Sequence, residues 1–317
     1  MTQNLENNDH PAIASVSAMV KLRYAARELT GFPRIQARQM MAGGHRSRFR
    51  GRGMDFEEVR IYQPGDDVRS IDWRVTAKTQ TPHTKIFREE RERPVLVVSD
   101  LRSSMFFGSQ RLKSVVACEI SAALAWAGLN ANDRVGGLVF GAQRQAEVKS
   151  RRSHHAVLQF IHELQDFSQQ LLEPAAEQHQ FEHSLAHILE ETRRFSLPGT
   201  TIFVVSDFHD FDQECERHLF ELARHGNLNF CHVFDSIETE LPEPALYAVS
   251  DGEHQRLLDT GNNSLREAFA NAFTERSQRL QKFSQQLSAG LLPFNSADPV
   301  MSILAQAYGK RRKGRRS

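Results

Sequence analysis

Cysteine is scarce in this chain: three residues, Cys118, Cys215 and Cys231, among 317. They are too few and too scattered for a disulfide framework, and no Cys-x-x-Cys pair suggests a zinc site. This usage fits a reducing compartment. The chain also lacks any run near the roughly 20 apolar residues that cross a bilayer, and its polar start, MTQNLENNDH, lacks the basic-then-apolar order of a secretion signal. A cytoplasmic protein is expected. There is no Gly-x-x-x-x-Gly-Lys-Ser/Thr phosphate loop, no glycine fingerprint after a strand and no Gly-x-Ser-x-Gly elbow, which argues against nucleotide hydrolysis and serine-nucleophile chemistry. Net charge nearly cancels, with 40 Lys+Arg against 39 Asp+Glu, so the molecule as a whole is no generic polyanion binder.

What the chain does have is a strand and helix rhythm. Residues 1–12 read as disordered, and residues 14–29 carry apolar side chains near helical spacing. From 43 to 93 glycine, arginine and short β-prone pieces (59–62, 84–87) alternate, which predicts a strand and loop module. From Pro94 the order becomes strand 94–100, helix 112–129 and strand 135–140. Helices at 154–166 and 181–195 follow, then strands at 201–206 and 228–234. Such alternation predicts a parallel sheet with right-handed crossovers. An edge hairpin turning at Asp251-Gly252 is expected over 245–259, then helices over 264–287 and 299–308. Three apolar strands end in an acid, Asp100, Asp207 and Asp235, which sets three carboxylates along the carboxyl edge of one sheet, where ligands of open α/β sheets are held.

The first of these runs, PVLVVSDLRSS, resembles the metal-binding Asp-x-Ser-x-Ser signature of von Willebrand factor A type domains, with Arg102 in place of the first Ser. Over a longer stretch, Gly51-x-Gly53, Asp55-Phe56, Arg60-x-Tyr62, Gly65-Asp66-Asp67, Arg69-x-Ile71-Asp72-Trp73 and Glu89-Glu90-Arg91 closely resemble the bacterial family called domain of unknown function 58. That resemblance implies a Rossmann-like von Willebrand factor A type α/β domain with a parallel-rich sheet flanked by helices, preceded by an N-terminal helix and a small β-rich module. Its implied layout is a disordered 1–12, helix and motif module 13–92, A-type domain 93–260, helices 261–309 packing on it and a basic tail 310–317. It also implies a partnership with MoxR-type AAA+ ATPases in assembly or maturation of protein complexes, and no membrane hairpin is present in this sequence.

In the related metal site, hydroxyls coordinate Mg²⁺ directly and Asp side chains hold its waters. Asp100, Ser104 and Asp207 match that set. Arg102 removes one ligand and places a fixed positive charge near the ion, and the expected Thr is missing, with Gln178 or Gln180 near its place. We therefore expect a degenerate edge of Asp100, Arg102, Ser103, Ser104 and Asp207, with Arg102 paired to Asp100 or Asp207. That edge would bind a partner, whose carboxylate Arg102 itself would contact. Cofactors are expected to be absent, Mg²⁺ at Asp100, Ser104 and Asp207 being the alternative that would make the chain a metal-dependent ligand-binding domain.

Other clusters weigh less. The motif surface of Arg60, Tyr62, Gly65, Asp66, Asp67, Arg69, Asp72 and Trp73 reads first as a turn with an Arg69–Asp72 pair and a packed Trp73, and second as a docking surface. His179, His183 and His187 share a helical face but lack the companions of a zinc site. Ser206, Asp207, His209 and Asp210 are close neighbours in sequence and so are poorly placed for a triad, and no enzyme activity is expected. The basic stretches HRSRFRGR (45–52, with Phe49) and KRRKGRRS (310–317) leave nucleic-acid binding as a further alternative. The reading reached is a non-catalytic, protein-binding adaptor.

Overall fold

The computed structural model describes residues 11–30, 54–64, 66–89, 94–172, 183–250 and 255–309. The chain divides into two compact units, Gln36–Glu92 and a larger one made of Met1–Ile35 with Arg93–Ser317.

Helix α1 (Val16–Ala25) opens the larger unit, started by the Ser15 side chain, which accepts from Ala18 N. The smaller unit holds strand β1 (Met54–Ile61), helix α2 (Trp73–Thr79) and strand β2 (His83–Glu89), with β1 and β2 pairing antiparallel around one register shift. Among its described residues, short-range side-chain bonds set the turns and the helix start. Asp72 caps α2 by accepting from Arg74 N and Val75 N, and Asp67 accepts from Arg69 N.

The larger unit continues as β3 (Pro94–Asp100), α3 (Lys113–Asn130), β4 (Arg134–Phe140), β5 (Gln145–Arg151), α4 (His154–Gln170), α5 (Leu185–Phe195), β6 (Thr201–Ser206), α6 (Gln213–Ala223) and β7 (Asn227–Phe234). It ends with α7 (Ser236–Thr239), β8 (Leu246–Ser250), β9 (Gln255–Asp259), α8 (Asn263–Leu287), β10 (Gly290–Asn295) and α9 (Val300–Tyr308). The central sheet runs β10-β7-β6-β3-β4-β5, parallel throughout except for the antiparallel β4–β5 pair. This is the doubly wound α/β sheet expected from the strand and helix rhythm.

Alternation along the strands divides the core between two faces. Val95 and Val97 join Trp126 of α3, Phe160 of α4 and Leu304 of α9 on one side. Leu96 and Val98 join Leu189 of α5, Leu219 of α6 and Phe283 of α8 on the other. Because both faces are covered, the central strands read as continuous apolar runs rather than as alternating ones.

Four sequence expectations are corrected. The N-terminal helix was grouped with the motif module, but Trp126 Nε1 donates to Met19 O (3.1 Å) and Ala14 N to Ser168 Oγ (3.1 Å), so α1 belongs to the α/β unit. The region 261–309, read as helices only, contributes β10, which pairs parallel with β7. Pro293 had masked it, and the sheet accepts a proline here because β10 is an edge strand. The polar β5 was also missed, only Val148 on it being buried. The hairpin over 245–259 forms its own two-stranded sheet instead of an edge of the main one. Its expected turn at Asp251-Gly252, residues 1–10 of the stretch 1–12 expected to be disordered, and both basic stretches lie outside the described residues, while residues 11–12 form a turn.

Gly137 of β4 allows the close approach of α4: a Cβ there would stand 2.2 Å from two ring atoms of Phe160. Gly137→Val is expected to lower unfolding free energy by about 1–3 kcal/mol through overpacking, read by urea denaturation, and Phe160→Leu should recover part of the loss. An unchanged midpoint in Gly137→Val would contradict this packing.

Candidate functional site

The sheet brings Asp100, Asp207 and Asp235 to the ends of adjacent strands β3, β6 and β7. All three are buried. An ionised carboxylate in such a place needs compensating charge or hydrogen bonds, and each finds a partner on the one segment that joins β3 to α3.

Asp100 is held by Arg102. The guanidinium donates from Nε to Oδ1 (3.0 Å) and from Nη2 to Oδ2 (2.7 Å), and the Arg102 backbone N adds a bond to Oδ1 (3.1 Å). Ser206 Oγ donates to Oδ2 (2.7 Å), so each Asp100 oxygen accepts two bonds. The far side of the same guanidinium reaches Asp210, from Nη1 to Oδ2 (2.6 Å) and from Nη2 to Oδ1 (2.9 Å), and Nη1 also donates to His183 O (3.2 Å). An arginine has five N–H donors, and these contacts use every one. Burial works against the charge on Arg102, but Asp100 and Asp210 outweigh it and raise its pKa. Burial raises the pKa of Asp100 against the pull of Arg102 and Ser206.

Asp207 is held by Lys113, the first residue of α3 and 1 % exposed. Its Nζ lies 2.9 Å from Asp207 Oδ2 and 2.7 Å from Glu238 Oε1. His209 N donates to Asp207 Oδ1 (3.1 Å), and the Ser104 hydroxyl also donates to this carboxylate. Burial disfavours the charged Asp207, yet Lys113 overcomes it and keeps the pKa below the usual carboxylate range. Asp235 accepts from Ser109 N (2.8 Å), Ser109 Oγ (3.1 Å) and Ser296 Oγ. Asp235 also forms a capping box with Glu238 at the start of α7. Between these anchors Phe208 adopts φ 52°, a left-handed conformation uncommon for a bulky residue, which turns the chain sharply after Asp207.

The expected edge residues Asp100, Arg102, Ser104 and Asp207 are thus brought together, with Ser103 exposed beside them. Arg102 pairs with Asp100 as expected, but its second partner is Asp210 and not Asp207. It keeps no donor for a partner's carboxylate, so direct recognition through Arg102 does not follow. Lys113 and Glu238 escaped the sequence reading. One signal was present: a lysine at the first position of a helix opposes the helix dipole, an unfavourable placement unless a carboxylate faces it. The set does not fit Mg²⁺, because every Asp100 lone-pair position is used and an ammonium already occupies Asp207.

The remaining candidates separate. His183 and His187 stack face to face (5.4 Å between centroids, 10° between planes), an arrangement that does not converge their nitrogens on one ion, and His179 lies outside the described residues. Among the described residues no three His, Cys, Asp or Glu side chains converge as metal ligands. Ser206 Oγ engages Asp100 and receives a bond from Phe208 N, while His209 is exposed and nears Arg276. No nucleophile–base pair forms from these residues. In the smaller unit Arg60 pairs with Asp66 (2.8 Å), and Tyr62 Oη donates to Asp66 O (3.3 Å). Asp72 pairs with Lys85 (3.4 Å) and not with Arg69. Trp73, expected to pack, is 68 % exposed. Gly65 lies outside the described residues.

The model of the family described as "Protein of unknown function DUF58" matches residues 58–279. The chain belongs to this family. Uncharacterized proteins of Mycobacterium tuberculosis and Mycobacterium bovis are each 26% identical over 299 residues, covering 93% of this chain and 91% of their own. Among solved structures, the conserved hypothetical protein BatB from Bacteroides thetaiotaomicron aligns with a TM-score of 0.39 and 14% identity over 68% of this chain and 95% of its own. The SpRpn10 VWA domain aligns with a TM-score of 0.37 and 10% identity over 68% and 94%. Among the described residues of this DUF58 chain no helix is long and apolar enough to cross a membrane.

Two predictions test this geometry. Removing one partner of a buried ion pair strands the other charge, so Arg102→Ala is expected to cost about 3–5 kcal/mol of unfolding free energy. Arg102→Lys should recover only part of that loss, since an ammonium cannot reproduce the fork. A loss in Arg102→Ala below about 1 kcal/mol, the range of a surface pair, would contradict the arrangement. The second concerns His232, buried among Phe208, Phe234 and Phe273, whose pKa burial lowers from 6.5 to about 4. The folded chain then binds fewer protons than the unfolded one, so this stabilisation is complete above pH 6.5 and is lost as pH falls toward 4. Below pH 3.8 Asp207, Asp210 and Asp235, all lowered, add to the loss, while the raised Asp100 opposes the histidine effect above pH 3.8, because the folded chain takes up its proton first. His232→Phe should flatten stability across the histidine window, and an equal slope in both proteins would assign it elsewhere.

Proposed function

We propose that this chain is a non-catalytic, protein-binding adaptor that needs no metal ion at its sheet edge. Its proposed working partner is an AAA+ ATPase of the MoxR type, in the assembly or maturation of protein complexes. The observation that carries the reading is the internal commitment of the edge. Arg102 and Lys113 neutralise Asp100 and Asp207 from within, and Ser206 donates to the Asp100 carboxylate that Arg102 already holds, with no histidine hydrogen-bonded to it among the described residues. Such an edge offers neither open ligand positions for a cation nor an activated nucleophile, but it is a rigid platform. The family supports the partner class through the resemblance of its motifs, and the ATPase would supply the mechanical work.

The metal question is tested on the protein alone. Titrating Mg²⁺ into it is expected to give no binding heat and no rise in thermal midpoint. A concentration-dependent rise, the signature of a ligand that binds the folded state, would favour the metal-dependent reading instead. The adaptor reading is tested by calorimetry with the purified MoxR-type ATPase of the same cell, with and without ATP. Saturable binding is expected, and its absence under both conditions would overturn the partnership. Strongly salt-dependent retention on DNA or RNA would move the function to nucleic acid.

A further inference from the structure

Strands β8 and β9 pair with each other as a two-stranded sheet apart from the central one, and among the described residues no further strand pairs with either of their outer edges. The base of this hairpin is firmly held. The buried Thr260 hydroxyl accepts from Ala245 N (2.9 Å) and donates to Glu243 O (2.8 Å), while Arg266 of α8 donates to Leu241 O (2.8 Å) and Pro242 O (2.5 Å). Beyond that base the chain stands in solvent. Every residue from Glu243 to Ala248 is exposed, with Leu246 at 69%, and Leu257 opposite Ala248 is 74% exposed. A two-stranded hairpin this exposed is marginal in water, and an unpaired edge is a template for another strand.

The hydrogen-bond pattern fixes which groups each edge offers. Thr260 N donates to Ala245 O (3.0 Å), one step beyond the Leu246–Asp259 pair. Bonded and non-bonded pairs alternate along an antiparallel ladder, so Tyr247 and Val249 turn their N–H and C=O groups toward β9. Leu246, Ala248 and Ser250 turn theirs outward, as Gln255, Leu257 and Asp259 do on the opposite edge. The two edges differ in charge. β9 carries Arg256 and Asp259, whereas β8, LYAVS, has no charged residue and no proline, the usual guards of an exposed edge.

We infer that β8 is a self-association edge, on which the β8 strand of a second copy of this chain pairs antiparallel about a two-fold axis through Ala248. The outward residues 246, 248 and 250 are symmetric about position 248. A two-fold there sets Leu246 against Ser250 of the second copy and Ala248 against its own counterpart, which gives all three outward N–H groups of each copy a carbonyl at once. At a two-fold the residue on the axis meets itself, and alanine is small and uncharged enough to do so without crowding or repulsion. The same operation on β9, centred on Leu257, sets Arg256 against Leu258 instead. Pairing through β8 yields a four-stranded sheet, past the three strands needed for independent stability, with Leu246, Ala248 and Leu257 of both copies on one face. The second copy brings this match by symmetry, where a strand of another protein brings it only by coincidence. Such a dimer lies beyond the adaptor reading and does not depend on it.

The test is sedimentation equilibrium of the purified full chain with variants at position 248. Wild type is expected to be a concentration-dependent dimer. Ala248→Pro removes an outward N–H that the hairpin itself does not use. It should keep the wild-type thermal midpoint while raising the dimer dissociation constant about tenfold or more, as for the loss of two backbone hydrogen bonds, one per copy. Ala248→Lys and Ala248→Glu probe the axis. Position 248 faces itself about this axis alone, so each charged variant is expected to be monomeric through like charges directly opposed, and an equimolar mixture of the two should restore the dimer. Should Ala248→Pro lower the thermal midpoint, the mixture decides. A wild-type chain that stays monomeric up to its solubility limit overturns the inference, and so does a dimer that all three variants leave intact, since its contact lies elsewhere. Neither result touches the adaptor reading, which is measured against the ATPase.

Discussion

Burying three carboxylates at the ends of adjacent strands is the constraint from which the rest of this edge follows. Neighbouring strands lie about 4.8 Å apart, so Asp100 and Asp207 feel each other as well as the loss of water, and an ionised pair there is untenable without nearby positive charge. A bound divalent ion is one solution. This chain uses another, in which the segment after β3 carries Arg102 at its start and Lys113 at its end, each set against one of the two carboxylates. The third acid, Asp235, needs no full counter-charge because three donors from Ser109 and Ser296 face it. Charge compensation and loop geometry are therefore the same set of contacts.

The two solutions behave differently. A metal ion binds or leaves with its concentration and with competing chelators, so an edge built on it can be switched. A guanidinium is charged at every pH a protein meets and is tied covalently to the site. What is lost is the open coordination position through which a bound cation recruits a partner's carboxylate; what is gained is a loop whose shape does not depend on solution composition.

Much of this was legible in the sequence. Continuous apolar runs ending in Asp100, Asp207 and Asp235 announced a buried parallel sheet and its carboxyl edge, because a strand covered on both faces has no reason to alternate. The substitution of Arg102 for a hydroxyl was legible too, and it pointed correctly to an internal cation. Lys113 was not, since eleven positions separate it from Arg102 and only the folded turn at Gly108 returns it to the same edge. Asp210 was legible only as a possible catalytic neighbour, because its bond to Leu185 N and its grip on Arg102 depend on helix α5 arriving from a distant part of the chain. The missed strands β5 and β10 share one physical cause. Both are edge strands, where burial is incomplete and polar residues or a proline are tolerated, so the apolar signal that betrays central strands is absent.

The smaller unit shows the limit of motif reading from the opposite direction. Its acidic positions are explained by local backbone needs: Asp66 holds Arg60, Asp67 accepts from Arg69 N, and Asp72 starts α2 while pairing with Lys85. These bonds fix a turn and a short helix on a two-stranded sheet, an architecture that is marginal by itself. Among its described residues Thr84 is the one buried side chain, while Ile61, Val68 and Trp73 are all more than half exposed. A packing role for Trp73 within the unit is therefore ruled out by the same geometry that accounts for its neighbours. Among the described residues of this motif Asp66, Asp67 and Asp72 are tied into turns, a cap and ion pairs, while Trp73 stands exposed.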